Sequence, residues 1–357
     1  MKKFFFMAAM ASVALASCVN DVSDVAAEQQ KEINFAAPVV GNLSRVDVIG
    51  EIGTSYDTDE SFSVYAVWHE SSFDKWEGAA LYMSNVEVNH VGTDKDNTST
   101  GTGAWVANPT YYWPKVGVLS FAAYSPTRAK NDGTITYTKD GLQIQNFQVR
   151  PNGQQYDLMY SERTINQSAS RGENNTYDGV DIKFKHALSS IKFTAKTDAD
   201  YSSSIEIKIK KISLWGMYSK ATFNQTITDG TSDLKGTPKW NTYKDDSKIL
   251  GSDPYIAYSG TLQLNHTTAQ EANTNAVILL PQTFSDENAK IRVDYTIKSL
   301  TGVEINQYKE VCIKDLSGEW TYGYRYTYNI TIGLDEVYFA PSVELWADQG
   351  GVGGVGL

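Results

Sequence analysis

The stretch Trp320-Thr321-Tyr322-Gly323-Tyr324-Arg325-Tyr326-Thr327-Tyr328-Asn329-Ile330-Thr331-Ile332 decides the fold class. Every even position is aromatic or β-branched apolar, and every odd one is Thr, Gly, Arg or Asn. A period of two puts all the large side chains on one side of an extended chain, so the stretch reads as one long strand with a single buried face. The same alternation recurs upstream. Phe62, Val64, Ala66 and Trp68 alternate with Ser63, Tyr65 and Val67, which predicts one apolar and one mixed face. Ile205, Ile207 and Ile209 alternate with Glu206, Lys208 and Lys210, and Ile291, Val293, Tyr295 and Ile297 repeat the pattern. Val277-Ile278-Leu279-Leu280-Pro281 is apolar throughout and reads as a strand buried on both faces. Leu142 and Ile144 share a parity that Phe147 and Val149 break, as a β-bulge would. No amphipathic helix longer than about two turns is visible, so the chain is expected to be all-β.

With 357 residues there is enough chain for two cores. The segment between Arg163 and Gly179 is polar and nearly free of apolar residues, which marks it as the candidate domain boundary. A second polar stretch, Thr226 to Asp246, reads as a long loop. Two domains are therefore expected, over residues 46–178 and 179–357. The tail from Gly350 to Leu357 has too little side-chain mass to fold alone.

The first residues read as an export signal. Lys2 and Lys3 form a positive n-region, and Phe4 to Ala16 is an apolar run broken only by Ser12. At about thirteen residues it matches a signal h-region and falls well short of a bilayer-spanning helix. Leu15-Ala16-Ser17-Cys18 resembles the lipobox of bacterial lipoproteins, with residues 1–17 as the signal peptide and Cys18 as the lipidated residue. Several acyl chains on one residue hold a protein at a membrane effectively permanently.

Formal charge is −11, and −13 without Lys2 and Lys3, which argues against nucleic acid as a partner. Only two cysteines are present, so no disulfide framework is expected. Cys312, between Val311 and Ile313, reads as a buried core thiol. The four histidines, His69, His90, His186 and His266, lack ligand spacing, so no metal is proposed. His186 falls on the apolar face of a strand and reads as a packed, hydrogen-bonded residue. No GxSxG, phosphate loop or HExxH is present, and neither catalysis nor a cofactor is expected.

An ordered set of segments resembles the fimbrillin family of type V pilins, including its Mfa-like branch. The segments are Ile33-Asn34-Phe35, Phe62-Ser63-Val64-Tyr65-Ala66, Tyr112-Trp113-Pro114 with Leu119 to Pro126, and Asp157-Leu158-Met159-Tyr160. They continue with Phe184 to Ile191, Leu279-Leu280-Pro281-Gln282 and Gly323 to Ile330. The resemblance implies two transthyretin-like β-sandwich domains in tandem, preceded over residues 18–45 by a lipidated tether and a removable first strand. It further implies an outer-membrane lipoprotein precursor that becomes a subunit of a cell-surface fimbria supporting adhesion. An arginine-specific protease would cut between Arg45 and Val46, and the strand bearing Ile33, Phe35 and Val39 would leave. A strand from another subunit would then fill the groove, with other fimbrial subunits as partners and a homopolymer expected. Val337, Phe339, Val343, Leu345 and Trp346 are the candidate donor residues here. Burying four or five side chains of the first strand at about 1.5–3 kcal/mol each amounts to roughly 6–15 kcal/mol, comparable to the stability of a domain.

Two rival readings remain at this level. One is a tip or adhesive subunit. The other is a monomeric surface lipoprotein that binds a glycan or host ligand, with Trp68, Trp76, Trp105 and Trp113 as a sugar-stacking platform.

Overall fold

A computed structural model of the chain describes residues 31–36, 38–40, 54–55, 59–72, 78–91, 104–151, 153–169, 179–226, 236–273 and 275–346. Extended chain dominates, as the alternation predicts. Among the described residues the helical elements are three short 3-10 turns, at Thr127–Asn131, Asp245–Ser247 and Ile313–Asp315. The protein is all-β.

The first half is organised on a 10-stranded sheet. Its path runs from Asn34–Phe35 through Ala104–Asn108, Ala80–Val91, Phe62–His69, Val118–Ser125, Met159–Ser161 and Lys183–His186 to Val39–Val40 and Thr54–Ser55. One short segment, residues 31–40, enters that path twice, at its start and again next to Lys183–His186. Phe35 pairs with Trp105 on one side and bridges Val180 on the other, so the sheet closes on itself. Phe62, Val64, Met83, Val88, Trp105, Phe121 and Phe184 fill the interior.

The strand Phe62–His69 is buried on both faces, where the sequence predicts one mixed face. Tyr65 and Val67 point away from the ring interior into a second core, because another sheet packs there. That sheet comprises Thr134–Thr138, Gly141–Gln148, Lys220–Thr226 and Thr237–Asn241. Tyr65 meets Tyr137 at 5.4 Å between ring centroids, and Tyr160 meets Phe223 at 5.1 Å. The parity slip after Ile144 is a bulge. Ala221 pairs with Phe147 and Phe223 with Ile144, and Asn146 takes up a left-handed φ of 55° between them.

Two features of the polar stretches differ from expectation. The cut placed at 178/179 is crossed by strand pairing at three places, by Met159–Ser161 and Val39–Val40 on Lys183–His186 and by Gly141–Gln148 on Lys220–Thr226. Polar composition marks a surface connection there, whereas backbone pairing continues across it. The expected loop from Thr226 to Asp246 contains the strand Thr237–Asn241, held by Trp240, whose indole Nε1 donates to the carbonyl of Ala187 at 2.6 Å.

Beyond Ala187 the chain forms a sandwich of two sheets. One runs Gln270–Glu271, Ser189–Thr197, Tyr324–Ile332, Val337–Leu345, and the other Tyr255–Gln263, Ile205–Trp215, Lys290–Ser299, Glu304–Cys312. Ser189–Thr197 and Tyr324–Ile332 run parallel, from Ser190 opposite Arg325 to Thr197 opposite Ile332. The long strand expected from Trp320 is broken at Gly323, where a φ of 72° turns the chain; Glu319–Trp320 pairs separately with Gln282–Thr283. Past the turn, Tyr326, Tyr328, Ile330 and Ile332 are buried as the alternation predicts, and Val277 to Leu280 are likewise buried. Cys312 is half-exposed rather than buried, because it lies at the end of the edge strand Glu304–Cys312.

The buried tyrosines give the fold an alkaline limit. Tyr328 accepts a hydrogen bond from the indole Nε1 of Trp320 at 2.8 Å, but burial pushes its phenol up to about 12. Burial alone takes Tyr243 to about 12 as well. A phenol raised above its unfolded value near 10 contributes stability in full below that pH and loses it as pH rises through the folded value. Urea unfolding should therefore show stability level up to pH 10 and falling steeply between pH 10 and 12. A flat profile across that window would contradict the burial of these rings.

Candidate functional site

The feature that closes the large sheet is the seat of residues 31–40. The segment is short, apolar at alternate positions, and interrupted by Pro38 between the strands Asn34–Phe35 and Val39–Val40. Its first part runs antiparallel to its neighbour. The Ile33 amide donates to the Tyr111 carbonyl at 2.8 Å, and the Trp113 amide to the Lys31 carbonyl at 2.9 Å. Its other edge runs parallel to residues 180–184. There the Val180 amide donates to Asn34, and the amides of Ala36 and Val39 donate to Val180 and Ile182 at 3.0 and 3.3 Å. One short segment thus satisfies backbone groups on both lips of the sheet.

Its side chains complete the interior. Ile33 is 1% exposed, Phe35 3% and Val40 6%. The Phe35 ring meets Phe62 at 5.8 Å and Phe121 at 5.9 Å, both edge-on. Of the three side chains expected to fill this groove, Ile33 and Phe35 do so. Val39 is only half-buried and Val40 occupies the interior place, because the chain passes Pro38 before the second strand. Ile33, Phe35 and Val40 together account for roughly 5–9 kcal/mol of transfer free energy. In sequence, Arg45 and Val46 lie between Val40 and the strand Thr54–Ser55 that pairs with it. Arg45, Val46 and Cys18 fall outside the described residues.

Sequence reasoning missed Gly179. It has a φ of 102°, and a Cβ there would stand 2.4 Å from the Phe35 carbonyl carbon and 2.5 Å from the Ala36 nitrogen. Only a residue without a side chain lets the two backbones approach this closely. The signal in the sequence is a lone glycine at the end of a polar run, which names no partner.

The C-terminal strand is the second element of interest. Val337–Leu345 pairs antiparallel with Tyr324–Ile332 over its whole length, at the edge of its sheet. Val337 and Trp346 are buried at its two ends, Phe339 is half-buried, and Val343 and Leu345 are 52% and 54% exposed. The candidate donor residues are therefore seated on their own chain, with two of them presenting apolar surface. Residues 347–357 fall outside the described residues. Trp346 lies flat on His186, with ring centroids 4.0 Å apart and planes within 6°. His186 is buried, and its Nδ1 lies 2.5 Å from a carboxylate oxygen of Asp157, in keeping with a packed, hydrogen-bonded role. A cleft of about 390 Å³ opens beside them, lined by Glu162, Lys185, Tyr322 and Tyr324 among others.

Among the described residues the tryptophans do not form a platform. Trp105 and Trp113 are core residues, 1% and 2% exposed, and Trp68 is half-buried with its Nε1 donating to the Val116 carbonyl at 2.8 Å. Trp76 lies outside the described residues. Of the other arginines, Arg163 is 4% exposed and lies over the Tyr137 ring. Arg128 and Arg150 are held by Glu60 and Asp132, each at 2.7 Å.

Gly179→Ala should unseat residues 31–40 while leaving the C-terminal sandwich folded, and Phe35→Ala should cost about 3–5 kcal/mol. Hydrogen exchange resolved along the chain measures both. Protection of residues 33–40 unchanged in Gly179→Ala would show that the close approach is not a constraint.

Comparisons with known proteins place the chain. The fimbrillin-like family matches residues 45–346. Among solved structures, a fimbrial protein from Bacteroides vulgatus is similar at 16% identity and a TM-score of 0.58, covering 88% of this chain and 99% of that one. A candidate cell adhesion protein from Bacteroides uniformis is 17% identical with a TM-score of 0.49, covering 88% and 98%. The tip fimbrial protein Mfa3 from Porphyromonas gingivalis is 9% identical with a TM-score of 0.31, covering 80% and 94%. No curated protein matches. With the family matched over most of its length, the chain belongs to the fimbrillin-like family.

Proposed function

We propose that this protein is a structural subunit of a cell-surface fimbria, exported as a lipoprotein on Cys18, cut between Arg45 and Val46, and polymerised by strand exchange. Family membership supports the fimbrial role, and the closure of the large sheet by residues 31–40 carries the exchange mechanism. A cut after Arg45 severs this segment from the rest of the chain. Its departure opens two backbone lips and an apolar groove lined by Phe62, Trp105, Phe121 and Phe184. An open sheet edge of that kind is filled by addition of another strand.

The donor in this reading is the C-terminal segment of a second subunit, Val337 to Trp346 with the residues that follow. Val343 and Leu345 already offer apolar side chains at alternate positions. Release of the first strand also detaches the subunit from its lipid anchor, so membrane attachment and assembly exclude one another. The fimbria then carries adhesion, with other fimbrial subunits as partners and an arginine-specific protease as the processing enzyme.

Limited trypsin digestion of the precursor, followed by N-terminal sequencing and an unheated denaturing gel, tests the reading. The expected result is a fragment beginning at Val46 and a ladder of higher species, which deletion of residues 347–357 abolishes. Resistance at Arg45, or a cut chain that remains monomeric, overturns it.

A further inference from the structure

We propose that the stack of Trp346 on His186 is a latch through which the seated first strand holds the C-terminal strand in place. The inference rests on the strand-exchange reading for its purpose, though the contact can be tested without polymerisation. Its parts come from three distant regions of the chain, and each is locked by the next.

The strand Lys183–His186 has two neighbours. Met159–Ser161 pairs with it antiparallel and Val39–Val40 parallel, with Lys183 opposite Val39 and Phe184 opposite Val40. Loss of the first segment removes the parallel neighbour and leaves the strand at a sheet edge. Phe184 and His186 share one face of that strand, since they stand two residues apart. The Phe184 ring packs on Phe62 at 5.5 Å, and Phe62 packs on Phe35 of the first segment. Ring contacts thus run from Phe35 through Phe62 to Phe184, and the short strand Lys183–His186 itself links Phe184 to His186, which carries Trp346.

The far end of the latch is equally defined. The Trp346 amide donates to the Gly323 carbonyl at 2.8 Å, and the Gly323 amide donates to the Leu188 carbonyl at 2.9 Å, two residues past His186. Ring stack and backbone relay both tie the last strand to the segment that follows Lys183–His186. By contrast, the preceding residues Val343 and Leu345 are half-exposed, so Trp346 is the main side-chain anchor at this end. Weakening the first segment's seat loosens His186, and with it the hold on Trp346. The C-terminal strand becomes available only as a groove opens, which keeps subunits from exchanging strands before they are cut.

The test is hydrogen exchange on the uncleaved full chain as a monomer, so it stands or falls irrespective of whether the chain polymerises. Gly179→Ala unseats the first segment without touching the latch; Phe35→Ala serves if the first variant leaves residues 33–40 protected. The expected result is exchange at residues 343–346 at least tenfold faster than in the parent chain. Coupling is reciprocal, so Trp346→Ala should accelerate exchange at residues 33–40 while Trp346→Phe, which keeps an aromatic face, should not. Faster exchange confined to the first segment in Gly179→Ala, or no response at residues 33–40 in Trp346→Ala, overturns the proposal.

Discussion

The hydrogen bonds along both edges of residues 31–40 are the constraint on which the first half of the molecule depends. A sheet closed into a ring has no free edge, and here closure is delegated to one short segment near the beginning of the chain. The strands that form the rest of the ring are longer and pair with neighbours along much of their length. The segment itself is broken at Pro38, runs antiparallel on one side and parallel on the other, and makes few bonds to each. Its side chains supply what its backbone does not, because Ile33, Phe35 and Val40 sit in the centre of an aromatic interior. The result is a strand held mainly by hydrophobic contact, with a backbone ladder short enough to exchange.

The opposite end of the chain is built on the reverse balance. Val337–Leu345 has a full antiparallel register with Tyr324–Ile332, but two thirds of its residues are exposed to solvent. Val343 shares the face of its partner Tyr326, which is buried, yet is itself 52% exposed. This strand is fixed by its backbone and by its two ends, Val337 and Trp346. An element with good β-pairing and unspent apolar surface gains by moving to a site where that surface is covered. In the proposed exchange, the groove that the first segment would vacate is such a site.

Much of this was legible in the sequence. Strict alternation located the strands of both halves, the bulge after Ile144 followed from a parity slip, and His186 was placed correctly as a packed residue. The places that resisted reading share a cause, which is that pairing partners are not written locally. Phe62–His69 looks half-polar because Tyr65 and Ser63 are polar in composition, but a second sheet covers that face. The polar run after Arg163 suggests a break, although pairing crosses it. Thr237–Asn241 has only Trp240 to advertise it. Gly179 matters because of Phe35, more than a hundred residues earlier, and Gly323 interrupts a pattern that its neighbours continue on either side. In the closing segment, Ile33 and Phe35 were visible as core residues, while the exchange of Val39 for Val40 depended on the path around Pro38.

The central claim is that the closing segment is a replaceable part with a preformed seat. Its most direct test is to cut the chain after Arg45, separate the released segment, and add an isotopically labelled peptide of residues 31–40. The account predicts that one peptide binds per chain, restores protection to residues 104–113 and 180–184, and suppresses formation of higher species. A cut chain that neither takes up the peptide nor loses protection along those two lips would show that the sheet stays closed without the segment, and would contradict the account.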